Sequence, residues 1–193
     1  METNTIKNVL VIGIAVTLLS FDLPLGWYKS GSEPLSYEMG IEKGAGLDGK
    51  NAATIKSKEE KIAGFGTLMQ QFIPYHFLGK RIRLTGYIKT DEVLGSAGFW
   101  LRVEQANSVQ SLAIDNMKDR PIKGTNNWKK VEIVLEVPEN ASKISYGAYL
   151  KGTGQIWFDN LIFEEVSNFV PITGKMVDRK ILNKYPLNLD FDY

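Results

Sequence analysis

KRIRLTGYIK, residues Lys80–Lys89, and GFWLRVE, residues Gly98–Glu104, are the stretches whose reading decides the fold. In the first, Ile82, Leu84 and Ile88 alternate with Arg81, Arg83, Thr85 and Lys89. In the second, Phe99, Leu101 and Val103 alternate with Trp100, Arg102 and Glu104. Successive side chains of a β-strand point to opposite sides of the sheet. An apolar row against a polar row therefore means one buried face and one in water. The segment LGSAG, residues 94–98, reads as a turn between two separate strands. The same period of two recurs in LSYEMGI (35–41), KKVEIVLEV (129–137) and KISYGAYL (143–150), with GLDGKN, VPENAS and KGTG as intervening turns. SKEEK, residues 57–61, places Ser57 and Glu60 at capping-box spacing and reads as one peripheral helical turn. Many half-buried strands and no long helical pattern give an all-β fold, a two-sheet antiparallel β-sandwich.

One strand carries an anomaly. In GTGQIWFDNLIFEEV, residues 152–166, Asp159 and Asn160 interrupt an apolar run, although both have poor strand propensity. The interruption calls for a local reason, which the strand pattern alone does not supply.

Composition bounds the function. The chain has 193 residues, 44% hydrophobic and 23% charged, and a net charge of +1. That balance provides no broad positive field for nucleic acid or an anionic membrane, and no nucleic-acid partner is expected. With no cysteine and one histidine, thiol catalysis, disulfides and His-rich metal sites are excluded. His76, in FIPYHFLGK, has no Ser or Asp beside it in sequence and reads as a loop or edge histidine. At the N-terminus, the run Asn8–Phe21 is uncharged and follows Lys7. It is short for a membrane span and suits a signal-peptide core, so residues 1–20 are expected to direct export and no stable membrane span is expected. Residues 21–166 form the sandwich, and residues 167–193 a tail or linker. The ending NLDFD repeats the look of LLSFD at Leu18–Asp22, which also fits a chain cut at the start of a second unit.

In order along the chain, FDLPLGWYKSGSEPLSYEMGIEK, GFGTLMQQF, GKRIRLTGYIKTDEV, AGFWLRVEQ and the run from Asp115 to Val166 carry a resemblance. Together they resemble a jelly-roll module of the carbohydrate-binding or galactose-binding-like type. Similar modules sit beside the catalytic domains of some secreted tail-specific peptidases and erythromycin-esterase-like proteins. The resemblance implies a jelly roll whose last strand lies near its first, with the closing Asp holding strand ends or a structural calcium. Asp159, Asn160 and Asp22 are then candidate oxygen ligands for that hard cation. The other reading is that Asp159 accepts backbone amide hydrogen bonds with no metal involved.

Enzyme signatures do not assemble. GFG and GTG lack the lysine and helix of a phosphate loop, and no Gly-x-Ser-x-Gly elbow occurs. Carboxylates are plentiful, and Glu104 and Asp115, on candidate neighbouring strands, are one pair of the kind glycosidase-like chemistry uses, though any β-sandwich could supply such a pair. A binding face has more support. Trp100, Arg102 and Glu104 share the polar side of one strand, where an indole stacks on a sugar ring and charged groups bond its hydroxyls. Gln70, Asp115, Asn116 and Arg120 are expected to extend that patch. The expectation is a non-enzymatic extracellular recognition module for glycan or another polar ligand. The alternative is a structural or protein-interaction domain of an exported protein.

Overall fold

The computed structural model describes residues 21–176. Ten strands follow one another in this range. They are β1 (Tyr28–Gly31), β2 (Tyr37–Glu42), β3 (Ala52–Ser57), β4 (Phe65–Phe72) and β5 (Lys80–Glu104), then β6 (Ser111–Asp115), β7 (Ile122–Val137), β8 (Lys143–Lys151), β9 (Gln155–Val166) and β10 (Lys175–Met176). All pairings are antiparallel. They form two layers. The first sheet runs β2-β3-β9, then the first half of β5, then the second half of β7. The second runs β1-β4-β8, then the second half of β5, then β6 and β10. This is the two-sheet antiparallel sandwich that the alternating pattern called for, with the jelly-roll form that the resemblance implied.

LGSAG does not reverse the chain. It is the corner of a single 25-residue strand that leaves one sheet and enters the other. β7 follows it round the bend. Thr90 pairs with Asn126, Val93 with Gly124 and Ala97 with Ile122, so β5 advances three and then four residues while β7 advances two. The surplus residues bulge, and bulges bend a strand and increase its twist. Glu92 takes a positive φ of 50° within this bend. Gly95 lies against the backbone of Lys151, where a Cβ would strike the carbonyl oxygen. Small residues in LGSAG therefore serve a corner rather than a hairpin.

The inner faces meet as the sequence pattern requires. Ile82, Leu84, Leu101, Val103, Ile133, Leu135, Ile144 and Phe158 are buried, while Val131 is partly covered. Phe99 of the second sheet meets Phe158 of the first edge-to-face at 6.1 Å. Each such side chain contributes about 1.5–3 kcal/mol by leaving water. At one end, Trp27, Phe72, Tyr146 and Phe163 form an aromatic cluster, with Tyr146 and Phe163 at 4.8 Å. Among residues expected on solvent faces, Val134 is buried. The segment after β9 covers it: the Thr173 amide donates to the Val134 carbonyl at 3.0 Å, and the Val134 amide to Thr173 Oγ1 at 2.8 Å. Residues 168–176 are thus laid along the sandwich, with Arg81 donating to the carbonyls of Asn168 and Val170 at 2.5 and 2.6 Å.

The Asp159–Asn160 interruption is a β-bulge. Thr85 and Tyr87 of β5 oppose Ile162 and Asp159 of β9, so three steps along β9 match two along β5. Asn160 has φ 53°, the left-handed conformation that Asn tolerates better than most residues. Asp159 Oδ1 accepts from the Asn160 amide at 2.7 Å, and Oδ2 from the Leu47 amide at 3.1 Å. The pair makes the bulge and ties the 46–50 turn to it. SKEEK forms no helix: Ser57 ends β3 and its Oγ accepts from the Gly154 amide at 3.0 Å. Within residues 21–176 the one helical element is a three-residue 3₁₀ turn, Pro34–Ser36, which leaves Leu35 exposed outside the strand expected to hold it.

Candidate functional site

The register of the second sheet fixes which side chains share its outer face. Residues directly opposite in a pair point to the same side. Trp100 is opposite Gly147, which is opposite Met69, which is opposite Tyr28. One row along, Arg102, Ser145 and Gln71 align, and on the other side Arg102 is opposite Ile114 and Ile114 opposite Lys175. Gly98, Tyr149, Thr67 and Ser30 form the next row. Tyr28, Trp100 and Tyr149 therefore stand on one face with Arg102, Glu104, Ser145 and Gln71.

Trp100 lies down rather than standing up. Its Nε1 donates to Thr67 Oγ1 at 2.8 Å, two strands away across β8. Two interstrand steps span about 9.6 Å, so the indole must extend across the intervening strand. The residue beneath that path is Gly147, whose missing side chain leaves the room. Thr67 is held in turn by donating to the Ala148 carbonyl at 2.7 Å. The result is an indole anchored through its Nε1, with the Arg102 guanidinium 6.0 Å from the ring centre. Glu104 is braced on three sides: Arg102 at 3.2 Å, Lys143 at 3.4 Å and the Ser145 hydroxyl at 2.5 Å. Gln71 Nε2 donates to the same Ser145 hydroxyl at 3.1 Å. Burial, and next the nearby Glu104 charge, push the Tyr28 hydroxyl above its ordinary pKa, so it is a neutral donor near pH 7. Burial does the same to Tyr149. Next to Glu104 and Lys143 a groove of about 530 Å³ opens under the loop of residues 105–109.

Not every residue expected in this patch lies in it. Gln70 belongs to the other side of β4, opposite Tyr146, whose hydroxyl donates to Gln70 Oε1 among the core aromatics. Its neighbour Gln71 faces the site, because a one-residue step flips a strand side chain to the opposite face. Asp115 is buried and committed. It accepts from Arg120 at 2.6 and 3.1 Å, from the Met117 amide at 2.8 Å and from the Thr173 hydroxyl at 2.6 Å. Burial alone would raise its pKa, but those hydrogen bonds together outweigh it and hold the carboxyl below the usual range. Asp115 and Arg120 thus fasten the turn after β6 to the tail, and their charges act on the adjacent Tyr149 hydroxyl. Asn116 is exposed and accepts from the Lys118 amide at 3.2 Å, closing the same turn. Tyr28, Tyr149, Gln71 and Ser145 went unnoticed in the sequence. The alternation in KISYGAYL placed Ser145, Gly147 and Tyr149 opposite its apolar row, and that was the available signal.

The three oxygen-bearing residues proposed for calcium are dispersed in their duties. Asp159 is used as described above, Asn160 shapes the bulge, and Asp22 contributes its backbone carbonyl to the Ile41 amide at 2.8 Å. Among the described residues no group of three His, Cys, Asp or Glu side chains is placed to hold a metal ion. No described helix is long and apolar enough to cross a membrane. The expected signal segment, residues 1–20, and the NLDFD ending lie outside the described residues.

No protein-family model matches the chain. Over 168 residues it is 45% identical to an uncharacterized HTH-type transcriptional regulator of Bacillus subtilis, YbfP, an alignment covering 86% of this chain and 56% of that protein. The chain thus spans little more than half the length of this curated relative. The relation overturns two expectations, the extracellular recognition module and the export that went with it, because the relative is named as a regulator of transcription. Solved structures show the fold. The xylanase 10B of Clostridium thermocellum, comprising CBM22-1 and GH10 modules complexed with xylohexaose, matches at TM-score 0.54 with 12% identity, over 74% of this chain and 26% of that one. The enzymatically active domain of tailspike protein 4 of bacteriophage CBA120 matches at 0.53 with 14% identity, over 74% and 20%. A Stig cyclase of Fischerella sp. TAU, complexed with a pyrrolidinylidene-indole, matches at 0.53 with 14% identity, over 76% and 87%. At these identities the likeness is one of architecture, that of carbohydrate-binding-module-like jelly rolls.

Proposed function

We propose that this chain is the ligand-sensing part of a transcription regulator, and that its ligand is a saccharide held across the outer face of the second sheet. The observation that carries the first half is the identity to an HTH-type regulator across 86% of the chain. A helix-turn-helix needs two α-helices, and residues 21–176 hold one 3₁₀ turn and otherwise strands. What the described residues share with the regulator is therefore a sandwich, the kind of element that binds a signal rather than a base pair. The anchored indole, on one face with Tyr28 and Tyr149 and with Arg102 and Gln71 in the next row, supports the saccharide. A sugar offers an apolar ring face to stack and hydroxyls to the polar row.

The test pairs two titrations. Calorimetry of the chain against a panel of mono- and oligosaccharides is expected to give saturable binding that Trp100→Ala weakens by about 1–3 kcal/mol, the scale for a central aromatic contact. Gel-shift titration with duplex DNA is expected to show only weak, sequence-independent association, in keeping with a net charge of +1. Tight sequence-specific DNA binding by the chain itself would overturn the sensing role. Absence of binding to the whole panel would overturn the saccharide.

A further inference from the structure

The proposed sugar site has a charge asymmetry that narrows its ligand. Near Trp100 this face carries Arg102, Lys143 and Lys175 against Glu104, with Lys151 two rows further along on the same side. The single carboxylate is already consumed. Arg102, Lys143 and the Ser145 hydroxyl all reach it, leaving it only 15% exposed. The cations are not consumed to the same degree. Arg102 gives one terminal nitrogen to Glu104 at 3.2 Å and its side chain is 38% exposed. Lys175 stands in the same cross-strand row as Arg102, one strand beyond Ile114, and has no ion-pair partner within 4 Å among the described residues. On the outer face of the first sheet, by contrast, the two arginines, Arg81 and Arg83, are each paired with glutamates.

We infer that the ligand is an anionic sugar, its ring against Trp100 and its acidic group between Arg102 and Lys175. This rests on the saccharide reading of the same face and adds the charge. A guanidinium offers a planar fork that suits a carboxylate or phosphate, and a lysine supplies a second point charge. Ile114, between the two cations, keeps the floor apolar, so the anion is attracted by the cations rather than hydrated by neighbouring polar groups. Both a uronate carboxylate and a sugar phosphate provide the required chemistry.

Titration calorimetry decides it with matched probes: glucose beside glucuronate and glucose 6-phosphate, and galactose beside galacturonate. At least one acid is expected to bind about tenfold more tightly than its neutral parent, which is about 1.4 kcal/mol. Arg102→Gln is expected to reduce that ratio to about twofold, and Lys175→Gln, at an exposed position, to reduce it part of the way. Whichever acid shows the preference identifies carboxylate or phosphate as the recognised group. Equal binding of acid and parent by the native chain overturns the anionic inference and leaves the saccharide reading standing. A preference unchanged in both variants overturns it too, since the charge would then be read elsewhere. No binding by any sugar, neutral or acidic, removes both together.

Discussion

The two outer faces of this sandwich are built from the same strand and do opposite things. The first half of β5 contributes Arg81 and Arg83 to the outside of the first sheet. Arg83 meets Glu164 at 2.8 Å and Glu132 at 3.6 Å, and Arg81 pairs with Glu136. Both arginines there have counter-charges, while Lys89, further along the same face, lies 5.0 Å from the centre of the Trp157 ring. The second half of β5 contributes Trp100, Arg102 and Glu104 to the outside of the second sheet. There the neighbours are small, Gly98, Gly147 and Ser145; Met117 and Tyr149 close over Gly98, and the Trp100 indole reaches across β8 to Thr67. A surface of balanced long side chains keeps a sheet soluble. A surface where rings are pinned over glycine leaves unmatched shape and unmatched charge, and these are what a ligand can use.

Gly147 offers the strongest way to break that contrast. A Cβ there would run into the Leu68 carbonyl oxygen and lie 2.9 Å from Met69 Cα. Backbone atoms cannot yield as a side-chain end can, so Gly147→Ala is expected to cost about 3 kcal/mol in urea unfolding, beyond any effect on ligand. An unchanged midpoint would mean that β4 and β8 are not spaced as described. Asp115→Ala comes next. It strands Arg120 and unfastens Thr173, and since Arg120 is one-third exposed the expected loss is about 2 kcal/mol. The native chain should show the same contact through pH. The Asp115 carboxyl titrates lower folded than unfolded, so its stabilisation is complete above about pH 4 and disappears as the pH falls through its lower folded value. The acid limb of a thermal-melt series should flatten in Asp115→Asn.

Smaller effects sharpen the comparison. Trp100→Phe keeps a ring but loses the bond to Thr67, and saccharide affinity is expected to fall by about 1 kcal/mol with little change in melting temperature. On the other face, Arg83→Ala is expected to change stability by less than about 1 kcal/mol, because exposed ion pairs contribute little. It should leave ligand binding untouched. If Arg83→Ala weakens ligand binding as much as Trp100→Phe, the two faces are not distinct and the site has been assigned to the wrong sheet.

The sequence made the layers legible and left the seams dark. Period two in five segments identified inner and outer rows, and Ile82, Leu101, Ile133 and Ile144 all lie inside accordingly. Trp100, Arg102 and Glu104 share a face for the same reason. What alternation cannot convey is which strand lies beside which. Gln70 was named although Gln71 faces the site, because GFGTLMQQF has no polar-apolar alternation from which the parity of β4 could be read. LGSAG looked like a hairpin turn because small residues serve corners and reversals equally. Asp159 and Asn160 left two readings open, cation ligands or acceptors of backbone amides, because a bulge leaves no mark on the apolar rhythm except the break itself; Asp159 accepts the Leu47 and Asn160 amides. Asp115 and Arg120 are five residues apart and could have been read as an ion pair, but their link to Thr173 depends on a tail whose path no local pattern reveals.

The unbroken run of β5 has a mechanical consequence. A single backbone is hydrogen-bonded into both layers, to β9 and β7 on one side of the corner and to β8 and β6 on the other. Neither sheet can peel away without pulling on a strand that the other holds. The sandwich should therefore open as one unit, with amide exchange in Ile82–Ile88 and Phe99–Val103 slowing to a common, global rate rather than to two separate ones. Its pairings join residues far apart in the chain, such as Thr54 with Trp157, so formation should be slow for its size. A weight hung on either face would be carried by the whole.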